Sequence, residues 1–548
     1  MSWQAAKSVP LLAGEPFCEK PPLTYWVAGA AIEVFGKDAW AARLPNVLYA
    51  LVTALAVGLI GRRSAGSLAG LAAAAAMSTF LLSYQVAIWL ATDAPLLAAV
   101  AIALWGLHTG FYAMSTGQRL RGYTCMHAAL AVGFLAKSAA AWMVPALTFI
   151  TLVAWEKRWR ELWRWELYVG LLLQAVLILS WVWVVYVGPD GPAHLKVFFW
   201  NNLVGRFAQV DAPEELQYAA GHRNTPGKYF LELPAYVFPW TLLVLAAVRG
   251  AFRRRREPVE RRRLVRFAAA VFVPTLCVLS VAATARNIYL APALPGVALL
   301  LGGWAGDLET AHDRWDLLTI RGTSLLLLLS AAIFAAAILV VGRDSWEVLH
   351  ARAAYAALST VGLSIAVACS VSGWRAAGRG RPVQALYVLL LAYCALLVGP
   401  ASQIYRSVDT WQDLASIGRA VGRDAADRPM ILFAPDETTR AFVDLYAGTT
   451  VDLIPGPITP LSGGRLRADL AGAPRSVVLT LLPGRNESRT VREIKDRLGL
   501  NPRTTTRPGP DPIPDWAFDA KLRIAHLYTL PNGRRYALLE SDNAAASR

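Results

Sequence analysis

Charge is scarce in this chain, and so are the motifs that mark nucleotide-driven or hydrolytic chemistry. Only 17% of its 548 residues are Asp, Glu, Lys or Arg. The five cysteines, Cys18, Cys125, Cys277, Cys369 and Cys394, are scattered without a Cys-x-x-Cys pair. That pattern indicates neither a disulfide framework nor a zinc site. No P-loop, no Gly-x-Ser-x-Gly and no His-Glu-x-x-His occurs, which argues against an ATP-driven pump and against a protease. Residues 1–43 hold no apolar core followed by a small-residue cleavage site, so no cleaved leader is expected.

Long apolar runs take the place of charge. Mean hydropathy is +0.40, and runs of spanning length recur from about Leu44 to Pro400. A stretch of roughly 20 apolar residues crosses a bilayer as helix. About twelve spans are predicted, near 44–60, 67–86, 95–114, 123–136, 139–155, 168–187, 233–249, 267–284, 289–305, 321–341, 353–373 and 383–400. The predicted class is a polytopic α-helical membrane protein with a small soluble α/β domain at the C-terminal end. The divisions are an outer juxtamembrane segment at 1–43, a membrane domain at 44–400 with an outer loop at 188–232, and the soluble domain at 403–548.

The net charge of +16 invites a nucleic-acid reading, but its distribution points elsewhere. Alternate loops at 61–66, 115–122, 156–167, 250–266, 306–320 and 374–382 hold 20 Lys and Arg, and the intervening loops hold 8. Such a skew is the positive-inside pattern. It makes the run Arg253–Arg256 with Arg261–Arg263 a topology anchor and leaves no nucleic-acid partner expected. Residues 1–43, the 188–232 loop and the C-terminal domain then fall on the outer face.

Charge sits oddly at a few outer-face positions. Gly14-Glu15-Pro16-Phe17-Cys18-Glu19-Lys20-Pro21-Pro22-Leu23 sets Glu19 beside Lys20 ahead of two prolines. Helix cannot run straight through Pro21 and Pro22, so Lys20 is expected on a rigid loop at the membrane surface. A fixed cation there suits a lipid phosphate; an interfacial anchor with a snorkelling lysine is the plainer alternative. Asp93 interrupts Trp89–Pro95, and Lys137 interrupts the apolar stretch from Tyr123 to Trp155. Lys137 is expected at a tight turn near the outer boundary. Ionisable groups at such depth are costly and usually functional, although Asp93 could instead cap the next helix and Lys137 could snorkel. Arg206 in the 188–232 loop has the planar fork that grips phosphate. His222 alone is weaker, and a solvated histidine is its plainer reading.

In the tail, 430–434 and 476–482 read as buried strands. Residues 435–448 read as a helix with acidic residues in its first turn. Residues 526–540 read as a hairpin around Asn532-Gly533.

Taken together, the Glu19-Lys20-Pro21-Pro22-Leu23 block with Ala42-Arg43-Leu44-Pro45 resembles the GT-C membrane glycosyltransferases. The nearest branch is the ArnT-like enzymes, relatives of the dolichyl-phosphate-mannose protein mannosyltransferases. Thr92-Asp93, Phe134–Lys137, Gly205-Arg206-Phe207, His222 through Pro239-Trp240 and Arg286–Pro292 follow the same pattern in order. The resemblance implies transfer of a sugar from a polyprenyl-phosphate donor to an acceptor on the outer face of a bacterial inner membrane. A lipid A-type lipid or glycan is favoured as acceptor, and membrane lipids surround the chain. It assigns Lys20, Lys137, Arg206 and Tyr289 to the donor phosphate and Asp93 to the catalytic cavity. Glu19 matches a position that can bind a divalent metal, while His222 and Arg43 are further candidates. Where metal-binding relatives carry a histidine, this chain has Asn201. Only Met1–Ala13 precede Gly14, where the family has a further span and an acidic segment credited with catalysis. The expectation is a start assigned too far downstream, with a degenerate copy as the alternative. Competing functions are a non-catalytic binder of polyprenyl-phosphate sugars, a protein O-mannosyltransferase-like enzyme and a secondary transporter.

Overall fold

The computed structural model describes residues 9–12, 15–36, 38–201, 225, 227–253, 259–282, 286–345, 352–411, 413–426, 428–448, 451–454, 460–472, 475–482, 522–530 and 533–541. Helix coincides with each of the twelve predicted spans. Among the described residues, eight helices are long and apolar enough to cross a membrane, or ten if two bent pairs each count as one. The chain is a multi-pass membrane protein. The remaining two segments fall short for identifiable reasons. Thr116–Lys137 opens with the polar Gly117-Gln118-Arg119-Leu120-Arg121, and Ala140–Trp155 has only 16 residues. On length and composition, the expected twelve spans therefore become eight to ten.

The bent pairs are Ser67–Thr79 with Leu81–Ile88, at 59°, and Lys228–Tyr236 with Thr241–Arg253, at 111°. The predicted 188–232 loop is also partly helical, through Gly191–Leu195 and a wide turn at Lys196–Asn201. Burial separates central from peripheral helices. Asp93–Phe111 and Asn287–Asp307 are 83% buried over their apolar windows, whereas Trp165–Tyr186 is 22% buried. The first two are surrounded by protein; the third turns most of its leucine and tryptophan surface outward, as lipid contact requires.

Small residues allow the central helices to approach closely, since lipid supplies no hydrophobic force between them. Gly106 and Gly110, one turn apart on Asp93–Phe111, meet Gly122 on Thr116–Lys137. A Cβ at Gly122 would lie 2.3 Å from the Gly110 amide nitrogen. Higher on the same pair, a Cβ at Gly133 would lie 3.1 Å from the Ala99 methyl. Gly302 and Gly306 approach Ala69 and Ala73 in the same manner.

Two of the basic loops meet at one end of the bundle. Glu161, only 2% exposed, accepts from Tyr123 at 3.0 Å and from Arg158 at 2.7 Å. Arg119 reaches Glu166 at 3.2 Å. Loops 115–122 and 156–167 are thereby joined, consistent with their assignment to one side.

The C-terminal domain is a five-stranded sheet in the order Val451–Ile454, Met430–Phe433, Val477–Leu482, Arg535–Ser541, Leu522–Thr529. The first three are mutually parallel and the last two pair antiparallel. Leu414–Ala425 and Glu437–Tyr446 cover one face through Ile417, Val421, Phe442 and Val443. Pro460–Gly472 covers the other through Leu466 and Leu470. Burial on both faces explains why Met430–Phe433 is continuously apolar. The predicted strands and helix are present. Val451–Ile454 and Pro460–Gly472 were not anticipated, and Pro531 and Asn532 of the predicted hairpin lie outside the described residues. On this sheet, Glu540 accepts from Arg523 at 2.5 Å and Arg428 at 3.1 Å. Burial alone would raise its carboxyl, but the two guanidiniums outweigh it and hold the group below its ordinary value.

Two predictions follow from this packing. Gly122→Val should destabilise the detergent-solubilised protein by about 2 kcal/mol or more through overpacking. Gly117→Ala, whose new methyl meets no atom within 4 Å, should leave the thermal midpoint unchanged or slightly higher. For the sheet, a carboxyl depressed in the folded state stabilises above its unfolded value and loses that contribution as pH falls through the folded one. Glu540→Gln should therefore cost about 1–3 kcal/mol at neutral pH and flatten the acid limb of stability, read by thermal unfolding of the full chain from pH 7 to 3.

Candidate active site

A short antiparallel pair, Leu11–Leu12 with Glu15–Pro16, brings the N-terminal segment back on itself. The Phe17 amide closes it by donating to the Pro10 carbonyl at 2.8 Å. Helix Leu23–Phe35 starts directly after Pro22, whose carbonyl accepts from Trp26 at 2.9 Å. A proline is at ease there because its missing N–H would be unpaired in a first turn anyway. Phe17 packs edge-on against Tyr25, with centroids 6.0 Å apart. Cys18 is buried with Val9, Phe134, Trp181, Val185 and Phe198. These contacts hold the 17–22 loop from both sides, as two consecutive prolines had suggested. They leave Glu19 and Lys20 half-buried, with the ammonium 3.3 Å from the carboxylate.

Phe134 lies one turn before Lys137, so the same apolar cluster ties this loop to the helix that carries Lys137. That helix ends at Lys137 because Ser138 takes a left-handed φ of 56°, and the next helix begins at Ala140. The expected tight turn is present. The Lys137 ammonium donates to Asp93 at 2.5 Å, with the two side chains 10% and 8% exposed. Asp93 does not cap its helix: Thr92 is the N-cap, and no side-chain cap bond forms. Its carboxylate sits in the first turn, where the helix dipole favours it, and turns to Lys137.

Tyr289 completes this group, its ring centre 5.1 Å from the Lys137 ammonium in a cation–π contact. It stands on the tight turn Asn287–Ala293. The Arg286 carbonyl ahead of it accepts from the Tyr289 amide and from the buried Tyr229 hydroxyl, each at 3.0 Å. Two donors on one carbonyl fix the turn that presents the ring.

Of the residues singled out in the sequence, Asp93, Lys137 and Tyr289 come together, and Glu19 and Lys20 join them through the Cys18–Phe134 cluster. Arg43 is exposed on Ala39–Ala65. Arg206 and His222 lie outside the described residues. Among the described residues no three His, Cys, Asp or Glu side chains converge, and Glu19 already pairs with Lys20. Among the described residues Glu19 therefore has no companion donors, and no step is assigned to a metal. Asn201 is buried, and among the described residues its side-chain oxygen has no hydrogen-bond partner.

One neighbour was not anticipated. Helix Glu437–Tyr446 of the sheet domain packs against the Leu11–Leu12 strand. It brings Glu437 into the electrostatic field of Glu19, Lys20 and Arg286.

Residues 19–183 match the family model described as dolichyl-phosphate-mannose-protein mannosyltransferase. The structure superposes on ArnT from Cupriavidus metallidurans bound to undecaprenyl phosphate, with a TM-score of 0.67 at 16% identity, covering 98% of this chain and 91% of that one. The apo form of the same protein gives 0.64 at 18%, covering 98% and 90%. The chain shares its fold with this protein. Undecaprenyl phosphate-alpha-4-amino-4-deoxy-L-arabinose arabinosyl transferase from Pseudomonas paraeruginosa is 28% identical over 331 residues, 60% of this chain and 57% of that one. The enzyme of the same description from Yersinia enterocolitica is 26% identical over 340 residues, 61% and 57%. The match thus spans a little over half the length of these relatives.

The buried pair gives a stability test. Lys137→Met should cost about 3–5 kcal/mol because it strands the Asp93 carboxylate without a partner. The double variant Asp93→Asn with Lys137→Met should recover most of that loss in thermal unfolding.

Proposed function

We propose that this chain is a membrane glycosyltransferase that moves a sugar from a polyprenyl-phosphate donor to a lipid acceptor, with aminoarabinose and lipid A as the favoured pair. The observation that carries this reading is the convergence of Lys137, Asp93 and Tyr289 beside the Lys20 loop, on a fold shared with an undecaprenyl phosphate-bound protein. The relatives' descriptions supply the sugar and lipid carrier.

In the proposed reaction the bond between the sugar's anomeric carbon and the donor phosphate oxygen breaks, and a new bond forms from that carbon to an acceptor oxygen. Negative charge grows on the departing lipid phosphate, and fixed cations facing it lower the barrier. Lys20 and Lys137 fill that role, with Arg206 assigned to it from the sequence. The Lys137 ammonium has three N–H donors, one of which serves Asp93. Asp93 is thus a positioning residue that aims Lys137 and balances its charge before the donor arrives. Tyr289 shields the other side of the ammonium and can offer its hydroxyl to the phosphate.

A phosphate acceptor arrives already ionised, so transfer to it requires no general base, whereas a protein hydroxyl does. Commitment of Asp93 to Lys137 therefore favours a phosphate-bearing lipid. The mannosyltransferase family match keeps Ser and Thr hydroxyls as the second reading. The skew of Lys and Arg between alternate loops supports placement in the bacterial inner membrane, with this site and the sheet domain on the periplasmic face.

The test is transfer of labelled aminoarabinose from undecaprenyl phosphate to a lipid A extract by the full chain in nanodiscs. Lys20→Ala should lower kcat/KM by about 100-fold or more, in the range found when one preorganised charge-stabilising group is removed. Tyr289→Phe should have a smaller effect. Transfer to Ser/Thr peptides from a mannosyl donor, with none to lipid A, would replace this reading by the second.

A further inference from the structure

The arginines of the basic loops are accounted for as topology anchors. Arg321 is not one of them. It stands on the spanning helix Arg314–Ser345, about two turns, or roughly 10 Å, in from the first residue. Its guanidinium lies over the Trp374 ring, 5.5 Å from the ring centre, in a cation–π contact with the neighbouring helix Arg352–Gly378. Its Nε is buried and has no hydrogen-bond acceptor among the described residues. The carboxylates ahead of it on the same helix are engaged elsewhere. Asp313 is held by Arg249 and Arg253, and Asp316 by Arg249 and the Trp304 indole. A guanidinium keeps its charge at that depth, so its position calls for an anion. The helix that begins at the Tyr289 turn ends at Asp307, just ahead of Arg314. The length of that helix therefore separates Arg321 from the site around Asp93 and Lys137.

The surroundings hold the guanidinium in place. Gly378 gives it room: a Cβ there would lie 2.5 Å from one terminal nitrogen and 3.5 Å from the guanidinium carbon. The chain leaves this helix through Gly380, at a left-handed φ of 69°. The Gly380 amide donates to the Ala377 carbonyl at 3.1 Å and the Arg381 amide to that of Ala376 at 3.0 Å, a Schellman end that fixes the turn. Arg375 and Arg379, each one position after Trp374 and Gly378, flank the same face and are exposed. They form no ion pair among the described residues. The neighbouring surface is apolar. Leu325 and Leu329 continue the Arg321 stripe at i+4 and i+8, Val367 stands two turns before Trp374, and all three are exposed. A soluble anion gains nothing from bare leucine, whereas a lipid brings phosphate and chains together. We propose that Arg321, flanked by Arg375 and Arg379, holds the phosphate of an anionic phospholipid whose chains lie along Leu325, Leu329 and Val367. The guanidinium fork supplies charge-assisted hydrogen bonds, and basic pockets between spanning helices suit such headgroups. Trp374 fixes the plane of the fork and is itself a residue at home at headgroup level.

The experiment uses the full chain in nanodiscs of equal parts phosphatidylglycerol and phosphatidylcholine. Native mass spectrometry of the released protein then counts the lipids it keeps. Wild type should retain phosphatidylglycerol over phosphatidylcholine by about tenfold or more, the size set by one hydrogen bond to a charged group. Arg321→Gln should bring that ratio to within about twofold. Gly378→Leu keeps every charge but puts a side chain where the guanidinium lies, and it should lower the ratio as well. It carries the test if Arg321→Gln does not fold, as judged by thermal midpoints in phosphatidylcholine alone. Arg160→Gln removes one exposed charge from another basic loop and should leave the ratio unchanged. No preference in wild type, an unchanged ratio in Arg321→Gln or Gly378→Leu, or an equal loss in Arg160→Gln and Arg321→Gln would overturn the site.

Discussion

A lysine and an aspartate held 2.5 Å apart with almost no solvent around them place a strict demand on the surrounding fold. Each charge alone would be strongly destabilising at that depth, and neither position tolerates loss of the other. The helices that carry them must therefore stay in register and in close contact. Gly106, Gly110 and Gly122 let Asp93–Phe111 and Thr116–Lys137 touch backbone to backbone, and Gly133 against Ala99 continues the contact toward the pair. The left-handed turn at Ser138 then stops the second helix where Lys137 can face Asp93.

The remainder of the site is arranged around that pair through independent supports. The 17–22 loop is anchored by Cys18 on the face of the Lys137 helix, and the Tyr289 turn is fixed by two hydrogen bonds to one carbonyl. Rigid supports suit a reaction whose catalysis is mostly placement of fixed charge. The sheet domain has its own two-sided core, yet one of its helices meets the N-terminal strand pair. The C-terminal end of the chain therefore touches the segment that leads into the Glu19–Lys20 loop.

What could be read in advance followed the physics of each signal. Hydropathy is a local, one-dimensional property, so helix was found at all twelve predicted segments. The breaks at Phe80 and between Tyr236 and Thr241, which reduce the number of plausible crossings, depend on neighbouring helices and were not visible. The tail strands Met430–Phe433 and Val477–Leu482 were legible because both faces are buried. Val451–Ile454 was not, since four residues containing Asp452 carry little pattern. Lys137 and Asp93 stood out singly, as charged residues interrupting apolar stretches, whereas Tyr289 came only through the family resemblance.

By itself, the sequence determined the membrane class, the alternation of basic loops, the proline-stiffened Glu19-Lys20 loop and the turn at Lys137, because composition and local backbone chemistry decide all of these. Tertiary structure alone decided that Lys137 is matched to Asp93, 44 positions away, that Tyr289 covers the same ammonium, and that helix Glu437–Tyr446 of the sheet domain packs on the N-terminal strand pair. Those relations depend on the distance between side chains brought together by helix packing and domain docking. Electrostatic energy depends on that distance and on local burial, neither of which is written in the order of residues.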